Sequence, residues 1–235
     1  MLKNVVTALL AWAVAQTATA QELEYKMELG GALGGTFYIG DANAALFNNM
    51  GLAGGAKAAY IFNPRMSLNG NLFLGKISGS TDDVDTVYPS GTKGTPGTAR
   101  FSRTVVDLGA QFAYNFFAYG TGKGYKGTRT ITPYIMGGMG FTYAPAPAED
   151  VFTLNFPLGI GVKYKWRERI NVGLEWSMRL TWTDKLDVTN KEGLQLNQPY
   201  GLENGSIFKN RDGYSYTLLY ITYDLFPKYR KCNNF

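Results

Sequence analysis

The sequence contains no histidine, and its 235 residues include a single cysteine, Cys232. Without histidine, the chain cannot build a Ser-His-Asp triad, a Cys-His pair or a histidine-ligated metal site. One cysteine excludes an intramolecular disulfide framework, although an intermolecular disulfide stays open in an oxidising compartment. We therefore expect a protein that is not an enzyme and that needs no cofactor.

Charged residues are also scarce, at 17% of the chain, and no stretch beyond the N-terminal region reaches 18 uninterrupted apolar residues. A transmembrane helix is therefore not predicted. The net charge of +5 is spread along the chain, which is not the footprint of a nucleic-acid-binding protein. The abundant residues are instead Gly (29), Tyr (16) and Phe (14).

The N-terminus has the pattern of a secretory signal peptide. Lys3 precedes an apolar core, and Ala18-Thr19-Ala20 fits the cleavage pattern, with the cut after Ala20. A transmembrane anchor is the alternative, but the core is shorter than the ~20 residues of a span. We assign residues 1–20 to the signal peptide and 21–235 to one exported barrel domain with a short C-terminal tail.

Hydrophobic residues recur with a period of two. In "INVGLEWSMRLTWT", residues 170–183, one face is entirely apolar and the other is mostly polar. Such alternation is typical of a β-strand, and its length suits a strand that crosses a bilayer. Seven other segments have a similar pattern: 25–39, 52–62, 66–78, 103–116, 130–143, 152–166 and 214–226.

Eight strands are an even number, as outer-membrane barrels require, and closure leaves no unpaired edge in lipid. The predicted fold is all-β: an eight-stranded antiparallel transmembrane barrel with long extracellular loops. A soluble β-sandwich is the competing fold, but the fully apolar face argues against it. With both termini periplasmic, the outward loops are 40–51, 79–99, 144–151 and 184–213, and the inward turns are 63–65, 117–129 and 167–169.

The interior of so narrow a barrel is expected to hold paired charges, because an unpaired buried charge is costly. We predict structural ion pairs in the lumen that involve Lys163, Glu175, Arg179 and Asp107, with Lys163 and Glu175 as partners across the 167–169 turn. Other polar residues predicted to face inward are Lys26, Glu28, Lys57, Gln111 and Lys165.

Two polar segments invite functional interpretations. Asp82, Asp83 and Asp85 would suit a carboxylate-pair hydrolase or a Ca²⁺ site, but a solvated acidic loop is favoured, because the loop lacks the EF-hand glycine and terminal Glu. The Gly-rich stretch "FAYGTGKGYKGTRTITPY", residues 117–134, is not a phosphate-binding loop, because Phe117 replaces the first glycine and a strand follows.

Long segments of the chain carry a recognisable pattern: "GGTFYIGDAN", "YIFNPRMSL", "FSRTVVDLGAQFAYNFFAYGTGKGYKGTRTITPYI", "FTLNFPLGIGVKYKWRERINVGLEWSMRLTWTDKLD" and "YSYTLLYITYDL". The pattern resembles that of PorG-like proteins, the small outer-membrane barrels of the type IX secretion system in Bacteroidota. The resemblance implies a non-catalytic component that anchors or docks the periplasmic ring of PorK and PorN at the outer membrane. It supplies no catalytic residues and no binding motif.

The basic turn 117–129 is then expected on the periplasmic side, where it could dock an acidic or backbone-rich partner surface. The hypothesised contact residues are Tyr119, Lys123, Tyr125, Lys126 and Arg129. A solvated turn near lipid headgroups is the alternative, and the basic tail "PKYRKCNNF" is a second docking candidate. The alternative function is a stand-alone outer-membrane barrel with a structural or ligand-binding role through its extracellular loops.

Overall fold

A computed structural model describes residues 24–40, 43, 46–80, 100–122, 127–145, 150–183, 185–186 and 211–228. Several predictions concern residues outside these ranges. They are the signal peptide, the acidic loop with Asp82, Asp83 and Asp85, three residues of the basic turn (Lys123, Tyr125 and Lys126), and the C-terminal tail with Cys232.

The described residues form eight strands, and each strand agrees with the predicted segment to within three residues. They are β1 (Glu24–Ile39), β2 (Gly51–Asn63), β3 (Met66–Ser80), β4 (Arg100–Asn115), β5 (Ile131–Ala144), β6 (Val151–Arg167), β7 (Ile170–Thr181) and β8 (Gly213–Lys228). Each strand pairs antiparallel with the next, and β8 pairs with β1 to close the barrel. The predicted fold class is confirmed, and the β-sandwich alternative is wrong.

The barrel is apolar outside and polar inside, which reverses the arrangement of a soluble protein. Leu33, Leu52 and Phe152 point outward and are 74%, 86% and 70% exposed, whereas Asp107 and Arg179 are fully buried in the interior, the lumen. An apolar outer surface around a polar lumen is the arrangement of a membrane-spanning barrel. No helix in the described ranges is long and apolar enough to cross a membrane.

The two ends of the barrel differ. One end, here called the turn end, carries the two-residue turns Pro64–Arg65 and Glu168–Arg169, the longer turn 116–130, and the first and last strand residues Glu24 and Lys228. The opposite end, the loop end, carries the connections 40–50, 81–99, 145–150 and 182–212. The predicted distribution of tight turns and long loops is therefore confirmed.

Two interior glycines make room for tyrosine rings from neighbouring strands. Tyr134 on β5 lies opposite Gly161 on β6, and Tyr220 on β8 lies opposite Gly173 on β7. A Cβ atom at either glycine would overlap the tyrosine ring beside it. Both rings are buried, so the glycines allow large side chains to fill the lumen where strands approach closely.

Candidate functional site

The centre of the lumen is held by Asp107 on β4. Its Oδ2 accepts hydrogen bonds from Arg179 Nε at 3.1 Å and from Tyr214 Oη at 2.7 Å, and its Oδ1 accepts one from Asn71 Nδ2 at 2.8 Å. All four side chains are buried. Asp107 and Arg179 were predicted to take part in lumen ion pairs, without named partners, and the geometry places them together.

The predicted pairing of Lys163 with Glu175 is wrong. Glu175 instead pairs with Lys57 on β2 and accepts a hydrogen bond from Tyr134 Oη at 2.9 Å. Lys163 has Glu28 as its ion-pair partner among the described residues, at an Nζ–Oε1 distance of 3.9 Å. Both Lys163 and Glu175 do face the lumen, as predicted, but each turns to a different strand.

Strand register explains the exchange of partners. Lys163 lies opposite Gly173, and Glu175 lies opposite Gly161, so the two charges are offset along the β6–β7 ladder. In a narrow closed barrel, a long side chain reaches a strand on the far wall as easily as a diagonal neighbour. The pairing therefore depends on how the whole barrel closes.

Further charges lie near the turn end. Lys165 pairs with Asp224 and donates to Asn171 Oδ1 at 3.0 Å.

The prediction that Lys26 faces the lumen is wrong, because its side chain is exposed. The β1–β8 ladder is interrupted at this level, where Phe226 adopts a left-handed φ of 56°, and the strand turns Lys26 out of the lumen.

The loop end of the lumen is covered by Leu186, which is fully buried among aromatic residues of the core. Its backbone N–H donates to Asp212 Oδ2 at 2.8 Å. Arg103 Nη1 donates to the carbonyls of Lys185 at 2.8 Å and Leu186 at 3.3 Å. A leucine from the β7–β8 connection thus closes this end.

The turn end is covered by Tyr119, which enters the lumen from the 116–130 turn and is only 9% exposed. Its hydroxyl donates to Asn171 Oδ1 at 2.8 Å. The ammonium groups of Lys163 and Lys165 lie 4.4 Å and 5.3 Å from its ring centre. Burial raises the pKa of the Tyr119 phenol well above its ordinary value, so the hydroxyl keeps its proton.

The 116–130 turn is also joined to the Pro64–Arg65 turn. Tyr119 N donates to Pro64 O at 3.0 Å, and Asn115 N donates to Arg65 O at 2.7 Å. Arg65 Nη1 donates to Phe116 O at 2.9 Å. We call this unit, residues 64–65, 116–122 and 127–130, the turn-end platform.

The turn-end platform changes which residues can meet a partner. Tyr119 faces the lumen, so this residue of the proposed contact set does not form part of the outer surface. Arg129 is exposed, and its guanidinium carbon lies 4.2 Å from the centre of the Phe117 ring. Phe116, Phe117 and Arg65 are exposed beside it and were not predicted.

A small cavity opens at the turn end, with Tyr119, Lys163, Glu28 and Asp224 in its wall. Its volume is about 50 Å³, which holds a few water molecules and falls well below the roughly 300 Å³ of a small-molecule pocket. Within the described residues, no group of three or more Cys, Asp or Glu could hold a metal ion. The described part of the lumen therefore contains paired charges and one covering side chain at each end.

Solved structures with a similar fold include three small barrels. The N-terminal β-barrel domain of Pseudomonas aeruginosa OprF is 12% identical, with a TM-score of 0.44, over 86% of this chain and 99% of that chain. Neisserial surface protein A is 10% identical, with a TM-score of 0.43, over 87% of this chain and 100% of that chain. Ail, the attachment invasion locus protein of Yersinia pestis, is 11% identical, with a TM-score of 0.41, over 87% of this chain and 100% of that chain. These similarities concern the fold alone.

No curated protein matches the chain significantly. A family model described as a domain of unknown function, DUF6089, matches residues 3–234. The match extends over the whole barrel, including the turn-end platform and all the lumen charges described above. The chain belongs to the DUF6089 family.

Proposed function

We propose that this protein is a non-catalytic outer-membrane component of the type IX secretion machinery, which docks the periplasmic PorK/PorN ring at the membrane. The observation that carries the proposal is the turn-end platform, in which a basic and aromatic outer surface is built on two interlocked turns. The residue patterns that resemble those of PorG-like proteins support PorK and PorN as the partners.

The turn-end platform has the properties of a docking surface. Hydrogen bonds between its two turns and the inserted Tyr119 restrict its motion before any partner arrives, which lowers the entropy lost on binding. Arginine and aromatic side chains are enriched in protein interfaces, and Arg129 and Phe117 already stack on each other. A partner surface with exposed carboxylates would complement Arg65 and Arg129.

The proposal requires a particular orientation. Bacterial outer-membrane barrels have short turns in the periplasm and longer loops outside the cell. Pro64–Arg65 and Glu168–Arg169 are the tight turns, so the turn end and both chain termini would face the periplasm. The platform would then lie on the same side as the ring.

Site-specific photo-crosslinking in the native outer membrane tests this function. A photoreactive phenylalanine analogue replaces Phe117, which is 38% exposed on the platform, or, as a matched control, Phe47, which is 52% exposed near the loop end. We expect position 117, but not 47, to capture a PorK- or PorN-like protein. Capture of lipid alone at position 117 would contradict the docking function.

A stand-alone barrel that acts through its outer loops is the second candidate. Leu46, Phe47 and Met50 are exposed close to the loop end, which favours an apolar contact there. Under this function, the crosslinker at position 47 captures a partner, whereas position 117 captures no periplasmic protein. The same two variants therefore separate the candidates.

A further inference from the structure

A second arginine site lies at the turn end, in the Glu168–Arg169 turn between β6 and β7. Arg169 Nε donates to Tyr25 Oη at 3.1 Å, and its Nη1 donates to Tyr223 Oη at 3.3 Å. The backbone carbonyl of Arg169 accepts a hydrogen bond from Asp224 N at 2.8 Å. The guanidinium is thus held in a fixed position although its residue is exposed.

Arg169 has donors to spare. A guanidinium carries five N–H groups, and the two phenols use one on Nε and one on Nη1. Arg169 and the nearby Arg167 form none of the ion pairs found among the described residues. Two exposed cations are therefore available to an external anion.

The position of these cations indicates what that anion is. Tyr223, Trp166 and Phe226 are exposed on the outer surface of the barrel, where the apolar belt ends. The guanidinium carbon of Arg167 lies 5.8 Å from the Trp166 ring. Aromatic rings and arginines at the border of an apolar belt lie at the level of lipid headgroups. A phosphate group is the anion found at that level.

We propose that Arg169, with Arg167 beside it, binds the phosphodiester of a phospholipid in the leaflet that adjoins the turn end. The planar guanidinium fork matches two phosphate oxygens, which makes arginine better suited than lysine to this contact. Tyr25 and Tyr223 aim the fork, since they occupy its other donors. The site does not depend on partner docking, but it does rest on the proposed orientation, which places phospholipid rather than lipid A at this end.

Native mass spectrometry of the full chain released from vesicles tests the site. The vesicles contain phosphatidylethanolamine and phosphatidylglycerol, with lipid A in a second preparation. We expect Arg169→Gln to reduce retained phospholipid about tenfold, because a charge-assisted hydrogen bond pair is lost. Arg211→Gln is the matched control, since Arg211 lies 4.2 Å from the ring of the exposed Trp182 near the loop end. This control should retain phospholipid like the wild type.

Two more variants distinguish a fixed site from general attraction. Tyr25→Phe keeps every charge but removes one acceptor that aims Arg169, so it should reduce retention by a smaller factor. Arg169→Lys should restore only part of the lost retention. Gel electrophoresis with and without heating reports whether each variant has folded, because the heated, unfolded chain migrates more slowly than the folded barrel.

Three outcomes would overturn the proposal. Equal losses in Arg169→Gln and Arg211→Gln would indicate attraction to any surface charge. Preferential retention of lipid A would place the wrong leaflet at the turn end. Unchanged lipid retention in Arg169→Gln, together with loss of crosslinking from position 117, would assign Arg169 to a protein partner. Failure of crosslinking alone would leave the lipid site intact and would reject only the docking function.

Discussion

Arg179 on β7 and Asp107 on β4 face each other across the lumen, with 3.1 Å between Arg179 Nε and Asp107 Oδ2 and neither side chain exposed. The pair joins opposite walls of the barrel rather than adjacent strands. It therefore links distant strands of the closed barrel, and neither side chain is accessible to solvent.

Replacing both members of this pair should cost less stability than the two single replacements added together. Arg179→Met leaves the Asp107 carboxylate buried without its cation, and we expect the free energy of unfolding to fall by about 3–5 kcal/mol. The double variant Asp107→Asn, Arg179→Met should lose less than the sum of the single losses. Urea unfolding in bilayers, followed by tryptophan fluorescence, measures this coupling. Additive losses would contradict a direct ion pair.

The Lys57–Glu175 and Lys163–Glu28 pairs should differ in strength. Lys57 hydrogen-bonds to Glu175, whereas Lys163 Nζ lies 3.9 Å from Glu28, beyond hydrogen-bond distance. We expect Lys57→Met to lower the free energy of unfolding more than Lys163→Met, and the same urea experiment compares them. A larger loss for Lys163→Met would show that its cavity-facing ammonium carries more of the lumen's stability than the geometry indicates.

Tyr119 should control the order of the turn-end platform. Tyr119→Ala removes the ring that enters the lumen, so the amides of Gly120 and Arg129, which hydrogen-bond to Arg129 O and Ala118 O, should exchange with deuterium faster. Tyr119→Phe should have a smaller effect, of about 1 kcal/mol for the lost hydroxyl bond. Leu186→Ala, at the loop end, is the control and should leave both amides protected. If the two amides of Tyr119→Ala exchanged as slowly as those of the wild type, the backbone hydrogen bonds alone would hold the turn.

The glycines beneath the tyrosine rings should not tolerate a methyl group. In Gly161→Ala, the new Cβ overlaps the buried Tyr134 ring, so the ring or the strand must move and the barrel should become less stable by about 1–3 kcal/mol. Gly70→Ala is the matched control, because no atom lies within 4 Å of a Cβ at that position. Similar unfolding midpoints for the two variants would contradict the close approach.

Cysteine labelling should establish the orientation. In a Cys232→Ser background, a membrane-impermeant maleimide added to whole cells should label Asp150→Cys, on the exposed β5–β6 connection, but not Glu168→Cys, on an exposed tight turn. Permeabilised outer membranes should make Glu168→Cys reactive. The reverse labelling pattern would show that the turn end faces the cell exterior, and it would reject both the docking surface and the phospholipid site.

Strand positions could be predicted because alternation is a local property, whereas the lumen pairs could not. Lys163 and Glu175 lie on adjacent strands, but each pairs with a residue on a more distant strand, and that strand comes within reach only when the barrel closes. The burial of Tyr119 had only a partial local signal, which was missed: residues 111, 113 and 115 face inward and 119 is also odd-numbered, but Phe117 between them is exposed. The outward orientation of Lys26 had no local signal in the sequence, because it results from the irregular backbone at Phe226, on another strand.

The alternation that separates lipid-facing from lumen-facing residues has a consequence before the barrel exists. Along β7, every apolar residue is followed by a polar or small one, from Asn171 to Thr181. An export channel that sorts segments by their total hydrophobicity finds no stretch here that partitions into the bilayer as a helix. If the chain is exported to the outer membrane as proposed, it would cross the first membrane without partitioning into the lipid, and its outer surface would become apolar only when the strands pair.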